Sequence, residues 1–291
     1  MNIMKLQLSV WVALLSVVCA TSCGDDGDSG GKSTEQILSF CPVIAESQND
    51  YATSMISQFE VGDCLSISLW EGDVPPPAQE NLYLDNITAE CIAEGEWQLS
   101  QSLDIDTLTA TYNIVALYPP TTAKGVEELQ DVEIDTNSDW VYGSLRTKLS
   151  VQEVEIECYP LLAELSFSLL DGSVVDNVEI EGLATSGTLN IFDGKITILS
   201  QDETVVFEES SVGYSSKLLP QSIKNFQLTS NGRIYTYSGT TIALSSGDMC
   251  DVELSLLTDG TISISSIVII PWEEYDGNDN YSDLELTTNQ N

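Results

Sequence analysis

The sequence predicts an all-β protein, and three observations support that fold class. Apolar and polar residues alternate in a series of short runs, such as 64–70 (CLSISLW). Turn dipeptides, including Asn231-Gly232 and Asp259-Gly260, separate many of these runs. Helical periodicity over a dozen residues is absent, and the fragments around 123–131 and 160–165 amount to single turns. Antiparallel strands stacked into β-sandwiches follow from this pattern.

Taken in order, each further element is a run of β-branched and apolar residues with a period of two, which is typical of a half-buried strand. The runs lie at 103–106, 112–118, 154–158, 165–169, 178–181, 196–199, 204–207, 233–237, 252–256 and 261–269. Proline pairs and triplets at 75–77 and 119–120 predict loops in the first half.

The charge balance excludes several classes of protein. The chain has 9 Lys+Arg against 46 Asp+Glu, no histidine and a formal charge of -37. A nucleic-acid partner is excluded because phosphate binding needs clustered cations, and the two arginines, Arg146 and Arg233, stand far apart in the sequence. Histidine-dependent catalysis and histidine-ligated metal sites are excluded because the chain has no histidine.

The first 22 residues have the pattern of a bacterial lipoprotein signal peptide. The apolar stretch 6–19 is about fourteen residues long, whereas a membrane span needs roughly 20. Ala20–Cys23 (ATSC) resembles a lipobox, which predicts cleavage between Ser22 and Cys23 and lipid attachment at Cys23. An ordinary signal peptide with an unmodified Cys23 is the alternative.

Residues 23–35 are rich in Gly, Ser and Asp and are expected to form a flexible acidic tether. An acidic stretch behind the lipidated cysteine resembles the export signal of surface lipoproteins in Bacteroidetes. We therefore expect a surface-exposed lipoprotein of the outer membrane, attached through its lipid.

The mature chain of about 270 residues suggests two domains, which we place at 36–148 and 149–291, the second ending in a short acidic tail. The five cysteines beyond Cys23 have no metal-site or redox spacing, so we interpret them mainly as small buried residues. One incidental disulfide remains open.

No catalytic site, metal site or cofactor is predicted. Many carboxylates alternate with apolar residues, as at 153–157, which is typical of the solvated face of a strand. Asp276, Asn278 and Asn280 imitate the opening of a calcium loop, but the glycine and the closing glutamate of that motif are missing.

A series of short motifs runs in a characteristic order along most of the mature chain. They are Phe59–Asp63 (FEVGD), 81–83, 95–97 (GEW), 112–120 (YNIVALYPP), 138–142 (SDWVY), 162–167 (LAELSF), 187–189 and 267–272 (IVIIPW). Their order resembles the fimbrillin-like (Mfa-like) lipoproteins of Bacteroidetes, which are subunits of type V pili.

That resemblance implies two tandem transthyretin-like antiparallel β-sandwiches and a role as a fimbrial anchor, tip or accessory subunit or adhesin. It also implies assembly with other fimbrial subunits by strand complementation, in which a sheet edge accepts another chain's strand. Surface glycans or proteins of the host or of bacteria are further expected partners.

Two departures from the family pattern concern assembly. The family removes its N-terminal strand with an arginine- or lysine-specific protease, yet no Lys or Arg occurs between Lys32 and Lys124. We therefore expect the first strand, near 36–45, to stay in place. The tail 273–291 alternates only at Leu284 and Leu286 and is expected to be a poor donor strand.

A glycan-binding outer-membrane lipoprotein of a polysaccharide-uptake system is the alternative function. Trp70, Trp97, Trp140 and Trp272 could stack on sugars, although aromatic residues at strand ends favour packing in the core. The residues 106–108 (DTL) resemble the O-glycosylation signal of these bacteria.

Overall fold

A computed structural model describes residues 39–45, 55–76, 78–101, 111–148, 153–170, 178–210 and 213–272. All of them belong to one structural unit, Gln36–Asn291. The lipoprotein signal, the tether, the 103–106 run, the 106–108 signal and the tail 273–291 lie outside the described residues.

Strands make up nearly all of the regular structure. The first nine are β1 (Ser39–Ile44), β2 (Cys64–Glu71), β3 (Leu82–Ala93), β4 (Glu96–Leu99), β5 (Tyr112–Tyr118), β6 (Val132–Asp135), β7 (Val141–Thr147), β8 (Glu153–Pro160) and β9 (Ala163–Leu169). The other nine are β10 (Val178–Leu183), β11 (Ser186–Asn190), β12 (Lys195–Ile198), β13 (Glu203–Ser210), β14 (Gly213–Leu218), β15 (Gln221–Ser230), β16 (Arg233–Leu244), β17 (Met249–Leu256) and β18 (Ile262–Ile270). A 3-10 turn (Gln79–Asn81) and a one-turn helix, α1 (Gly125–Glu128), complete the described elements.

Two large sheets carry the architecture. The first contains seven strands in the order β1-β8-β7-β5-β2-β3-β4, and the second contains eight in the order β16-β15-β10-β13-β14-β9-β17-β18. Each sheet curls until its outermost strands come within 8 Å of each other, β1 beside β4 and β16 beside β18. The predicted all-β class, with two β-sandwich units, is confirmed.

A third sheet covers the outer face of the first. It contains three strands in the order β12-β11-β6 and packs its apolar side chains against residues of β2 and β5. Trp70 and Phe192 meet edge to face across this contact, with ring centroids 5.1 Å apart. Because β2 and β5 are covered on both faces, nearly every residue in them is buried, and strict alternation of burial is lost.

The hydrophobic residues form three clusters. One fills the curl of the seven-stranded sheet, one fills the curl of the eight-stranded sheet, and one lies beneath the three-stranded sheet. Met249 and Trp272, which come from the end of the chain, belong to the first cluster. The C-terminal part of the described chain therefore helps to build the core of the N-terminal part.

Hairpins form at three of the Asn-Gly and Asp-Gly dipeptides of the sequence. Asn231 and Gly232 adopt φ of 51° and 72° between β15 and β16, as a tight two-residue turn requires. Asp193-Gly194 joins β11 to β12, and Asp259-Gly260 joins β17 to β18. The fragment at 123–131 contains one helical turn, whereas the fragment at 160–165 is strand on both sides of a bend.

The domain boundaries stay a prediction. β8 lies beyond the expected boundary at 148/149 but pairs with β1 and β7 of the first sheet. The three-stranded sheet likewise joins β6 to β11 and β12. In the part of the chain that the structure describes, no helix has the length and apolar character needed to cross a membrane.

Candidate functional site: the first strand and its clasp

The first strand completes the seven-stranded sheet from within the same chain. β1 runs parallel to β8, with Phe40 opposite Val154 and Ile44 opposite Cys158. Phe40 is 1% exposed and Ile44 is 9% exposed, so both side chains belong to the core. β1 therefore contributes buried apolar side chains and a row of backbone hydrogen bonds to β8.

The other side of β1 faces β4. Cys41 Sγ donates a hydrogen bond to the Gly95 carbonyl oxygen at 3.3 Å, in the turn that leads into β4. Beyond β1, the Ala45 backbone N–H donates to the Cys158 carbonyl oxygen at 2.9 Å. The strand is thus held along β8, toward β4 and at its C-terminal end.

A tryptophan from the far end of the described chain clasps that C-terminal end. Trp272 is 3% exposed, and its indole Nε1–H donates to the Ala45 carbonyl oxygen at 2.9 Å. Gly247 makes room for it, because a Cβ at that position would lie 2.9 Å from Trp272 Cβ. The clasp, defined as the Trp272–Ala45 contact, joins residues 227 positions apart in sequence.

The FEVGD motif builds a turn beside this sheet. The Asp63 carboxylate accepts a hydrogen bond from the Glu60 N–H at 2.7 Å, and the Gly62 N–H donates to the Cys91 carbonyl oxygen. Phe59 packs edge to face on Trp97 and Tyr118, with centroids 5.2 and 5.7 Å apart. These motif residues stabilise a loop, and their polar groups are used in local hydrogen bonds.

One ion pair occurs among the described residues, between Lys217 Nζ of β14 and Asp139 Oδ1 of the loop before β7. Their side chains are 22% and 36% exposed. The pair links the eight-stranded sheet to the chain that enters the seven-stranded sheet. Sequence reasoning missed it, because nothing in the spacing of residues 78 positions apart indicates such a contact.

We expect that pair to contribute little to stability. Replacing Lys217 with methionine should lower the free energy of unfolding by no more than about 1 kcal/mol, because water screens a half-exposed ion pair. Urea denaturation at low and at high salt measures this, with Lys224→Met, at an exposed position of β15, as the control. A loss that is several times larger and independent of salt would contradict the prediction.

Two carboxyl groups near the start of β17 are disfavoured as anions. Burial raises the pKa of Asp248, while a hydrogen bond from the Ser245 N–H at 2.7 Å opposes the shift. Burial, followed by the neighbouring Glu164, also raises the pKa of Asp251. Because the folded state holds these protons more tightly than the unfolded chain does, the stability from both groups is lost as the pH rises through their folded pKa values.

Asp248→Asn should therefore stabilise the protein at neutral pH and have little effect below the carboxyl's usual pKa of 3.8. The amide oxygen can still accept the Ser245 hydrogen bond, so the charge is the main change. Unfolding free energies of wild type and variant, measured from about pH 3 to about pH 7, check this because the range begins below the usual carboxyl pKa of about 4. A difference that is constant with pH would contradict it.

Among the five described cysteines, Cys64, Cys91, Cys158 and Cys250 are free thiols. Cys91, Cys158 and Cys250 are buried, and burial raises the pKa of each thiol, in Cys250 to about 12. This agrees with their interpretation as small core residues. Cys41 and Cys64 are partly exposed.

The predicted lipid-attachment residue Cys23 and the cleavage residue Ser22 lie outside the described residues. In the parts of the chain that are described, no cluster of three or more Cys, Asp or Glu is placed to hold a metal ion. Trp70, Trp140 and Trp272 are buried and Trp97 is half-buried, so these four described tryptophans pack in cores and form no exposed row. That arrangement does not favour the glycan-binding alternative.

The fold and the first strand define a class of β-sandwich proteins in which a strand from a distant part of the sequence completes a sheet. The sequence model of the fimbrillin-like family matches residues 52–272. The protein belongs to the fimbrillin-like family.

Solved structures give the same fold. A Bacteroides ovatus protein with a proposed role in cell adhesion shares 16% identity, with a TM-score of 0.58 over 82% of this chain and 99% of that one. A fimbrial assembly protein from Parabacteroides distasonis shares 9% identity, with a TM-score of 0.50 over 80% and 97% of the two chains. The tip fimbrial protein Mfa3 from Porphyromonas gingivalis, with a C-terminal truncation, shares 9% identity, with a TM-score of 0.50 over 72% and 94%. Among curated proteins no match was found.

Proposed function

We propose that the protein is a non-enzymatic surface lipoprotein that serves as an anchor, tip or accessory subunit of a fimbrium, or as an adhesin. Its family supports a fimbrial or adhesive role at the cell surface. Lipid on Cys23 would hold it to the outer membrane through the tether 23–35. Other fimbrial subunits would join it by strand complementation.

The observation that carries this proposal is that β1 fills its own sheet. Phe40 and Ile44 occupy the core, and the Trp272 clasp closes over the end of the strand. A subunit that polymerises through this position must first lose β1. A chain that keeps β1 cannot accept a donor strand beside β8. Such a chain can stand at the end of a fibre or beside it, but it cannot extend the fibre through this position.

The sequence between the tether and the first sheet supports retention of β1. A trypsin-like protease finds no Lys or Arg from 33 to 123, so cleavage after Lys32 would remove only the tether.

Mass analysis of the protein extracted from the bacterial surface tests the proposal. We expect a chain that begins at an acylated Cys23 and still contains β1. A chain without lipid that begins within 46–60 would overturn the proposal and indicate a polymerising subunit matured by a different protease.

Retention of β1 can also be tested in vitro. Ser47→Arg adds a trypsin site between β1 and β2, and we expect the cleaved N-terminal piece to stay bound under native conditions because β1 is paired and buried. Native electrophoresis before and after adding urea measures this, with uncut wild type as the control. Release of the piece without urea would show that β1 exchanges easily.

A further inference from the structure

The eight-stranded sheet has an open seam between its two outermost strands. β16 and β18 meet at one bridge, between Thr236 and Thr261, supported by a hydrogen bond from the Thr236 N–H to the Gly260 carbonyl oxygen at 3.0 Å. Beyond this apex, the described residues show no pairing between 238–244 and 263–270. We call the space between these two segments the slot.

The apex of the slot is held firmly. Arg233 Nη2 donates to the Thr258 carbonyl oxygen at 2.5 Å, and the guanidinium lies 5.0 Å from the centre of the Tyr235 ring. Because the bridge is parallel, β16 and β18 run in the same direction away from this point. Each strand therefore presents the edge opposite its paired neighbour to the slot.

The C-terminal end of β18 exposes apolar side chains beside the slot. Ile267 and Ile269 stand opposite Val252 and Cys250 of β17, so they share the face that carries the second core. Val252 and Cys250 are each 1% exposed, whereas Ile269 is 42% exposed. Among the described residues, Ile267 packs partly against the second core, whereas Ile269 at the end of β18 is much more exposed than its partner on β17.

β18 also lacks the usual protection of an edge strand. Natural edges are blunted by charged residues, proline or inward-pointing lysine, but 262–270 (ISISSIVII) contains none of these. An unprotected apolar edge of this length is suited to pairing with another strand.

We propose that the slot accepts an extended strand from another fimbrial subunit, with apolar residues at alternate positions and no acidic residues. This rests on the proposed function and places an acceptor in the uncut chain, away from β1. Charge selects the occupant, because a second copy brings another -37 and the tail 273–291 contains acidic residues but no Lys or Arg. A neutral or basic strand pairs without that repulsion.

Hydrogen exchange tests the slot directly in the full-length mature protein. The probe is a short synthetic peptide in which valine alternates with threonine between terminal lysines, added at about 1 mM. We expect exchange in 238–244 and 262–270 to slow by about 10-fold or more, with β13 unchanged. A twin peptide with proline in place of threonine loses every second backbone N–H donor, which leaves one of its edges without donors, and should have no effect.

A pair of variants locates the binding. Ile269→Lys puts a charge at an inward edge position and should abolish the protection, whereas Val206→Lys, at a 55% exposed site on β13, should preserve it. No protection by the alternating peptide, or equal protection in Ile269→Lys, overturns the proposal. Both variants are first shown to be folded by their denaturation profiles.

Occupation of the slot by a second copy of the protein, or by the chain's own tail, would give different results. Protection that appears without peptide and rises with protein concentration identifies a second copy, and protection by the peptide only after deletion of 273–291 identifies the chain's own tail. Either result overturns the proposal. Peptide protection with no association of the protein with fimbriae would overturn the proposed function and leave the slot intact.

Discussion

Replacing Trp272 with alanine is expected to lower the free energy of unfolding by about 3–5 kcal/mol. The side chain is 3% exposed and fills the first core beside Met249, so its removal leaves a large cavity. It also leaves the buried Ala45 carbonyl oxygen without its indole donor. Equilibrium denaturation in urea measures the loss.

Trp272→Phe separates the two contributions. Phenylalanine retains much of the ring packing and removes the N–H, so we expect a loss of about 1–2 kcal/mol. If the clasp holds β1 in particular, exchange at 39–45 should accelerate more than exchange at 163–169 in the second core. An equal acceleration in both segments would show that Trp272 stabilises the protein without a special hold on β1.

Replacing Gly143 with valine is expected to cost about 3 kcal/mol or more. Gly143 lies in β7, and a Cβ there would stand 2.5 Å from both Cys158 Sγ and the Glu157 carbonyl oxygen. The carbonyl belongs to the backbone of β8, which is the strand that pairs with β1. β8 would have to shift, and the shift would disturb its pairing with β1.

Thr147→Val on the same strand is the matched control. Thr147 is half-exposed at the end of β7 and opposite Tyr112, so a valine fits without a steric conflict. We expect a change within about 0.5 kcal/mol. Thermal and urea denaturation of the two variants compares them, and equal losses would indicate that β8 yields more readily than the geometry suggests.

Regular strands were predictable because their side chains alternate. The runs at 178–181 and 252–256 each form a strand, since one face of each packs on the second core and period two follows from the pleat. Hairpin turns were equally local, because Asn-Gly and Asp-Gly adopt positive φ at low cost.

Two strands with bulges, β3 and β15, were missed. β3 loses its alternation near Asn86, which has a φ of 52° and lies at a register shift against β2. β15 loses it between Ile223 and Asn225, where the register against β16 shifts. Each bulge adds a residue and moves the following side chains to the other face, which hides the strand from a period-two search.

The sequence by itself determined the all-β class, the family and the absence of a basic cleavage site near β1, because these depend on local alternation, motif order and residue type. Only the tertiary structure decided that β1 pairs parallel with β8, that Trp272 closes over Ala45, and that Lys217 meets Asp139. Such contacts join residues far apart in the chain, and their partners are selected by how the sheets curl and pack. The open edge of β18 is also decided by the tertiary structure. The alternation in a strand's sequence indicates which face is buried, but it does not indicate which strands pair with its edges.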